Sequence, residues 1–344
     1  MARTIAINGF GRIGRAVFKQ AIERSRDFNV VAVNDLATPE NLAYLLQYDS
    51  ANGKYDKSVR VKKKGEMHYL IVDDKRYVLY AMQDPTQLPW GDLGVDVVIE
   101  STGIFTTKEK AQQHIAAGAK RVVISAPAKD ENTPHILMGS NHKTLCKEGL
   151  DTVTSNASCT TNAVTPLMAI LSESLGVVKS LMTTVHGYTA SQSLVDSTVK
   201  GDDFLRGRAA AMNIVPSNTG AAKATAKALP HLNDRFDAVA VRVPVIVGSL
   251  VDLTVLVEKK TSVEAVNALF REAQDSDRWK GILEVSDTPL VSSDIVGNTS
   301  ASIVDTTYTR VVDGDFIKIL AWYDNEWGYT HTLLEHAQQV GNLV

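Results

Sequence analysis

Two residues of this chain have the chemistry of a nucleophile and its base. Cys159 stands in the run Ser155-Asn156-Ala157-Ser158-Cys159-Thr160-Thr161-Asn162, just ahead of an apolar helical pattern that begins near Ala163. Ser and Asn before a helix are capping residues, so the thiol is expected at a helix N-terminus, where the helix dipole favours a thiolate. His186 closes the strand pattern Met182-Thr183-Thr184-Val185. Beside the thiol it would hold it as an ion pair and move protons to and from a reacting oxygen. Taken alone, Cys159 could equally be a small buried hydrophobe and His186 a structural histidine. Cys146, between Leu145 and Lys147 in a polar stretch, carries no assigned role. No C-x-x-C, H-E-x-x-H or G-x-S-x-G occurs, so neither a metal centre nor a serine hydrolase is expected.

A second chemistry lies near the N-terminus. Gly9-Phe10-Gly11-Arg12-Ile13-Gly14 fits G-x-G-x-x-G between a strand pattern and a helical one. Such glycines allow a tight turn and let a pyrophosphate approach backbone N–H groups at the positive end of a helix. Asp35 follows Gly14 by 21 residues at the end of the next strand pattern. A carboxylate there can bind an adenosine ribose and repel a 2′-phosphate, which favours NAD over NADP. The competing readings are a packing turn and a loop or N-cap acid.

The elements that must hold these residues follow from periodicity. Residues 4–8 read as a strand, 12–25 as a helix and Val30 to Asn34 as a strand, giving a βαβ unit. Val95 to Glu100, a helix over about 108–117 and Arg121 to Ser125 continue the alternation, so a parallel sheet is expected. Beyond about residue 151, longer alternating strands appear at Ser180 to His186, Ala238 to Pro244, Leu250 to Val257 and Phe316 to Tyr323. The Ser/Thr/Gly/Arg-rich stretch Thr189 to Thr219 interrupts them, a loop long enough to be functional or disordered. Pro166 is expected to tighten the start of the helix after Cys159. Leu333, Leu334, Ala337 and Val340 mark a terminal amphipathic helix.

Composition narrows the class. With 344 residues, 44% hydrophobic and 22% charged, the chain has the makeup of about two globular domains. The net charge of −3 gives no global reason to expect nucleic acid or an anionic membrane as partner. The most apolar region, Ala238 to Val257, is cut by Arg242, Pro244 and Asp252, so no membrane span is expected. Two cysteines and an N-terminus running directly into a strand pattern suggest a cytoplasmic protein with free thiols.

Five segments together resemble phosphorylating glyceraldehyde-3-phosphate dehydrogenases. They are Ile7 to Arg15, Ser155 to Asn162, Thr183 to Thr189, Gly220-Ala221-Ala222-Lys223-Ala224, and Trp322-Tyr323-Asp324-Asn325-Glu326-Trp327-Gly328-Tyr329. The resemblance covers essentially the whole chain. It implies an α/β protein with a Rossmann-type NAD-binding domain over 1–157 and an α+β catalytic domain with a mostly antiparallel sheet over 158–325. The C-terminal helix, 326–344, would pack back on the first domain, and the assembly would be a homotetramer.

The implied reaction is oxidation of glyceraldehyde 3-phosphate with inorganic phosphate and NAD. Cys159 would be the nucleophile and His186 the base. Thr189 and Arg242 would hold the substrate phosphate; Ser158, Thr160, Arg206, Thr219 and Gly220 the attacking or alternate phosphate. Gly9, Gly11, Arg12, Ile13 and Gly14 match the pyrophosphate turn, Asp35 the ribose contact, Ser125 a position near the nicotinamide and Asn325 its carboxamide anchor. Independently, an anionic substrate on a slightly acidic chain needs local cations, and Arg206, Arg208 and Arg242 offer bidentate donors. Each could instead serve a surface ion pair, and Trp322 to Tyr329 could be core aromatics alone.

The pattern departs from the family at four places. Met82-Gln83 lacks an arginine expected near the adenine, Ala163 replaces a frequent second cysteine, Ser197-Thr198 replaces Leu-Pro, and Val245-Ile246-Val247 replaces Thr-Pro-Asn. An erythrose-4-phosphate dehydrogenase, or a non-catalytic NAD- or RNA-binding module, would be the alternative functions.

Overall fold

The computed structural model describes residues 2–145, 149, 151–199 and 201–344; Cys146 lies outside them. The chain divides into two compact units. The first comprises residues 1–136, 142–157 and 330–344, and the second 137–141 and 158–329.

The first unit is a βα-alternating sheet. Its elements are β1 (Arg3–Asn8), α1 (Arg12–Glu23), β2 (Phe28–Asn34), α2 (Pro39–Gln47), the short hairpin β3 (Tyr48–Asp49) and β4 (Gly53–Lys54), β5 (Val59–Lys64), β6 (Met67–Val72), β7 (Lys75–Tyr80), β8 (Val97–Glu100), α3 (Lys108–Ala116), β9 (Arg121–Ile124) and β10 (Val153–Ser155). Eight strands lie in the order β10-β9-β8-β1-β2-β7-β6-β5. The six from β10 to β7 are parallel, and β6 and β5 close the sheet in antiparallel fashion. Ile5, Ile7, Val97, Val98, Val122 and Val123 are fully buried, as expected of parallel strands covered on both faces. The edge strand β5, Val-Arg-Val-Lys-Lys-Lys, is lysine-rich and exposed, which discourages pairing with another chain.

The second unit is built on a mixed sheet. It holds α4 (Cys159–Leu175), β11 (Val177–Gly187), β12 (Val215–Asn218), α5 (Ala221–Ala228), β13 (Phe236–Val243), β14 (Ser249–Val257), α6 (Val263–Asp275), β15 (Leu283–Ser286), β16 (Ser302–Val312) and β17 (Phe316–Tyr323). The strand order is β12-β13-β11-β14-β17-β16-β15. Only β11 with β13 and β15 with β16 run parallel, so the sheet is mostly antiparallel. Strict alternation along β14 and β17 buries Val251, Leu253, Val255, Ile317, Ile319 and Ala321 on one face, against Leu167 and Leu171 of α4 and Phe270 of α6. The helix α7 (Trp327–Asn342) belongs to the first unit from Thr330 onward.

Two expectations are refined. The stretch 1–157 is interrupted, because residues 137–141 cluster with the second unit: Met138 joins its core, and Arg278 donates to the Gly139 carbonyl at 2.6 Å. A Cβ at Gly139 would lie 2.4 Å from the Trp279 ring, so the glycine is needed for this approach. The described residues of the long stretch Thr189 to Thr219 include a 3₁₀ turn over Phe204–Gly207 and β12. Ser193 N–H donates to the Arg206 carbonyl, Ser197 N–H to that of Gly207 and Ala210 N–H to that of Ser193, which fold the loop on itself.

Within the first unit, α7 carries the fully buried His336. Its Nδ1–H donates to Asn156 Oδ1 at 3.2 Å, and Nε2 accepts from the Thr154 hydroxyl at 2.9 Å. Burial pushes this imidazole down to about 3. Between that value and about 6.5 the unfolded chain binds a proton that the folded chain does not, so stability rises with pH in this window and falls as pH drops through it. The expected contribution is a slope of up to about 1.4 kcal/mol per pH unit. Urea unfolding at several pH values from 4 to 7 should show a shallower acid loss in His336→Gln than in the parent; equal slopes would refute the assignment.

Candidate active site

Cys159 owes its place to a capped helix. Ser158, in extended conformation, accepts the Thr161 N–H on its hydroxyl at 3.1 Å and so caps α4. Cys159 is the first residue of that helix, at the positive end of its dipole. Pro166 is accommodated inside a helix that runs on to Leu175. Ala157 precedes the cap in left-handed backbone, with φ of 54°.

His186 arrives on β11, and its Nε2 lies 3.4 Å from Cys159 Sγ. Nδ1 is 2.6 Å from the Gly187 carbonyl, which fixes the ring with Nε2 on the sulfur side. The parallel pairing of β11 with β13 sets Arg242 directly opposite His186. Arg242 Nη1 donates to the same Gly187 carbonyl at 3.1 Å and sits 2.7 Å from Nδ1. Burial and this adjacent cation push His186 down to about 3. Burial pushes the Cys159 thiol up, against the Arg242 charge and the Thr160 N–H, which draw it down. Burial and the Arg242 charge thus both work against an imidazolium at His186, while the same charge works for a thiolate at Cys159.

Tyr323 is the residue that sequence reasoning passed over. Fully buried at the inward end of β17, its hydroxyl bridges Thr160 Oγ1 at 2.9 Å and Thr184 Oγ1 at 2.7 Å, and Thr184 donates onward to the Leu250 carbonyl. This oriented relay ties the first turn of α4 to the strand that carries His186. It also commits the Thr160 hydroxyl to Tyr323. The signal was the period-two burial of Ile317, Ile319, Ala321 and Tyr323, which points the phenol inward.

The remaining residues of the second unit fall into separate groups. Arg206 binds Asp203 at 2.7 Å and the Ser191 hydroxyl at 3.0 Å, and Ser191 in turn meets Thr189 Oγ1 at 2.9 Å. The Arg206 charge also acts on His186 and Arg242. Arg208 is instead held by Asp196 at 2.9 Å in an exposed ion pair, a surface role. Thr219 and Gly220 stand at the start of α5, where Thr219 Oγ1 accepts the Ala221 N–H. Asn325 is buried; its Oδ1 accepts from Gly248 N–H and the Ser249 hydroxyl. Ser249, also unanticipated, accepts the N–H of Gly187 beside the imidazole.

In the first unit the glycine turn sits between β1 and α1. Gly9 has φ of 92°, and a Cβ there would meet Thr102 N at 2.6 Å; a Cβ on Gly14 would lie 2.0 Å from the Gly9 carbonyl oxygen. Gly11 is different, with open space where its Cβ would go and no side chain capping the helix. That open face at a helix N-terminus fits a pyrophosphate. Arg12 directs its guanidinium to Asp49 at 3.1 Å, leaving the backbone of Arg12 and Ile13 as the matching part of the turn. Asp35 accepts the N–H groups of Phe10 at 2.7 Å and Ala37 at 2.9 Å, so it orders the turn whatever else it binds. Ser125 follows β9, its N–H on the Glu100 carbonyl at 2.9 Å. Among the described residues, no three His, Cys, Asp or Glu side chains are placed to hold a metal ion, and no helix is long and apolar enough to cross a membrane.

Residues 3–108 match the NAD binding domain of glyceraldehyde 3-phosphate dehydrogenase, and 158–325 match the C-terminal domain of the same enzyme. Similar full-length proteins are the glyceraldehyde-3-phosphate dehydrogenases of Streptomyces coelicolor (47% identity, all of both chains), Geobacillus stearothermophilus (46%, 99% of both) and Thermotoga maritima (48%, 97% of this chain and 98% of the relative).

Two expectations follow from the geometry. Tyr323→Phe removes the hydroxyl that both threonines use, which should cost about 1–3 kcal/mol in chemical unfolding; a change below that range would show the relay to be idle. Gly11→Ala should leave the unfolding midpoint intact while weakening NAD binding in titration calorimetry. Gly14→Ala should disturb the fold itself, and the reverse ranking would contradict this account of the turn.

Proposed function

Since the chain belongs to the glyceraldehyde-3-phosphate dehydrogenase family, we propose that it oxidises glyceraldehyde 3-phosphate to 1,3-bisphosphoglycerate with NAD and inorganic phosphate, through Cys159 and His186. The observation that carries this reading is a partly buried thiol on the first turn of α4 with an imidazole nitrogen 3.4 Å away. Cys159 Sγ attacks the aldehyde carbon as His186 Nε2 takes the thiol proton, giving a thiohemiacetal. Nε2–H then passes that proton to the adduct oxygen, which the Cys159 N–H at the helix start also holds, so the thiohemiacetal carries a hydroxyl and Nε2 is again a free base. NAD, when bound, supplies the acceptor for the hydride leaving that carbon. His186 accepts the hydroxyl proton in the same step, leaving a thioester on Cys159. Phosphate oxygen then attacks the thioester carbon, the C–S bond breaks, and the acyl phosphate departs.

The cations that would take the two phosphates are Arg242 and Arg206, with Thr189 beside the second through Ser191. Ser158, Thr160, Thr219 and Gly220 would contribute N–H groups and hydroxyls, Thr160 through its backbone because Tyr323 engages its side chain. In the first unit, Gly9 to Gly14 would hold the pyrophosphate, Asp35 the adenosine ribose and Ser125 the nicotinamide end; Asn325 would anchor the carboxamide through its amide nitrogen. Asp35 favours NAD over NADP by charge.

A homotetramer fits the outer face of the second unit's sheet, where Leu181, Val239 and Phe316 are exposed and Leu250, Leu256 and Leu320 half-buried among the described residues. A cytoplasmic location agrees with a reactive free thiol.

NADH absorbance at varied phosphate, with both nicotinamides and with glyceraldehyde 3-phosphate against erythrose 4-phosphate, tests the whole reading. His186→Asn should lower turnover by about 10²–10⁴-fold. Cys159→Ser should retain NAD binding and lose nearly all phosphate-dependent NADH formation. Robust activity in the serine variant would overturn the assignment.

A further inference from the structure

A row of buried polar side chains crosses the first unit's sheet at the C-terminal ends of its central parallel strands. Glu100 ends β8, Asn8 ends β1 and Asn34 ends β2, and the register places Asn8 opposite both of the others. Asn8 Nδ2 donates to Glu100 Oε2 at 2.6 Å, and Asn34 Nδ2 donates to Asn8 Oδ1 at 2.7 Å. Asn34 also closes a pair of bonds with the backbone of Met82, after β7. At the other end, Trp90 Nε1–H donates to His114 Nδ1 at 3.0 Å, which fixes the tautomer and makes His114 Nε2–H a donor to Glu100 Oε2 at 3.1 Å. Glu100 and His114 have no exposed side-chain surface.

Four donors converge on the Glu100 carboxyl: Asn8, His114, and both the N–H and the hydroxyl of Thr102. A purely apolar row would pack these strand ends as well, so polar groups here set something other than burial. Asn8, Asn34 and Glu100 each stand immediately before a loop that would touch the dinucleotide. Gly9 follows Asn8, Asp35 follows Asn34 and Ser101 follows Glu100. Ser101 Oγ donates to the Gly9 carbonyl at 2.7 Å, Gly9 N–H donates to the Asn34 carbonyl at 2.8 Å, and Thr102 N is the atom a Gly9 Cβ would strike. The row therefore fixes the relative heights of three loops at the carboxyl ends of parallel strands, where α/β sheets bind ligands.

We propose that Glu100, Asn8, Asn34 and His114 are positioning residues for the dinucleotide: a hydrogen-bonded register lock that holds the glycine turn and Asp35 in their binding geometry. This rests on the proposed NAD site of the first unit. The lock acts through acceptor count. A glutamine at 100 offers one acceptor oxygen and an NH₂ where four donors point, so Thr102 or Asn8 must turn away and the turn moves with it. At 114, a glutamine can accept from Trp90 and donate to Glu100 as the imidazole does, whereas a leucine can do neither.

The test uses full-length Glu100→Gln, His114→Gln and His114→Leu. NAD affinity is read by titration calorimetry, fold by the urea midpoint, and the second unit by the rate of Cys159 alkylation with iodoacetamide. Glu100→Gln and His114→Leu should bind NAD about tenfold or more weakly and discriminate less between NAD and NADP, with alkylation of the cofactor-free proteins unchanged. His114→Gln should bind like the parent. The inference is overturned if the folded Glu100→Gln variant binds NAD as the parent does, or if the two His114 variants behave alike. Should Glu100→Gln fail to fold, the His114 pair decides. If the parent itself binds no NAD, or Gly11→Ala leaves binding intact, the dinucleotide site falls; if Gly11→Ala loses binding and the Glu100 and His114 variants do not, only the lock falls.

Discussion

A thiol can be attacked, alkylated or oxidised wherever it meets solvent, so a catalytic one has to be partly enclosed and still within reach of a base. Here that constraint is met by one contact, Cys159 Sγ to His186 Nε2 at 3.4 Å, and much of the second unit serves to hold it. The sulfur is fixed by a serine-capped helix start, the imidazole by a strand end and by the Gly187 carbonyl, and the two elements are tied by the Tyr323 hydroxyl. None of these bonds is strong alone. Together they hold the ring in one orientation, with Nε2 on the sulfur side.

Charge is handled in the same way. Arg242 lies against the imidazole because strand register sets it there, and its cation favours a thiolate while opposing an imidazolium. The same guanidinium has no carboxylate partner among the described residues, in contrast to Arg208, which Asp196 satisfies. An arginine left partly buried without a counter-ion is suited to an anionic group of a substrate. In the first unit the equivalent economy is in backbone: glycines at 9 and 14 permit approaches that a single Cβ would forbid, and a row of buried amides and a carboxyl keeps those approaches in register.

Much of this was legible before any coordinates. The glycine turn, the βαβ alternation, the capped cysteine, the long alternating strands and the terminal helix all arise from local rules, because side-chain period and capping chemistry act over a few residues. The reading thinned where elements were short or charged. The strands β5 and β7 carry lysines and arginines that hide their sheet role, and α6, though capped by Ser262, owes its buried face to Val266 and Phe270 and its packing to the distant strands β15 and β16. The loop over 189–219 looked structureless because it is held by backbone bonds between residues ten or more positions apart, as from Ser193 to Arg206 and from Ser197 to Gly207.

The sequence by itself determined which residues had the chemistry: a thiol before a helix, a histidine at a strand end, a glycine-rich turn between strand and helix with an acid beyond it, and arginines available for anions. Their identities and near neighbours suffice for that. Tertiary structure alone decided which groups meet and in what protonation state. Only it shows that Arg242 abuts His186 and opposes its protonation, that Arg208 is engaged in a surface pair, that Tyr323 engages Thr160, and that Asn8, Asn34 and Glu100 share one row. The reason is physical: pKa values and hydrogen-bond partners depend on desolvation and on atoms within a few ångströms, and those atoms come from strands far apart along the chain.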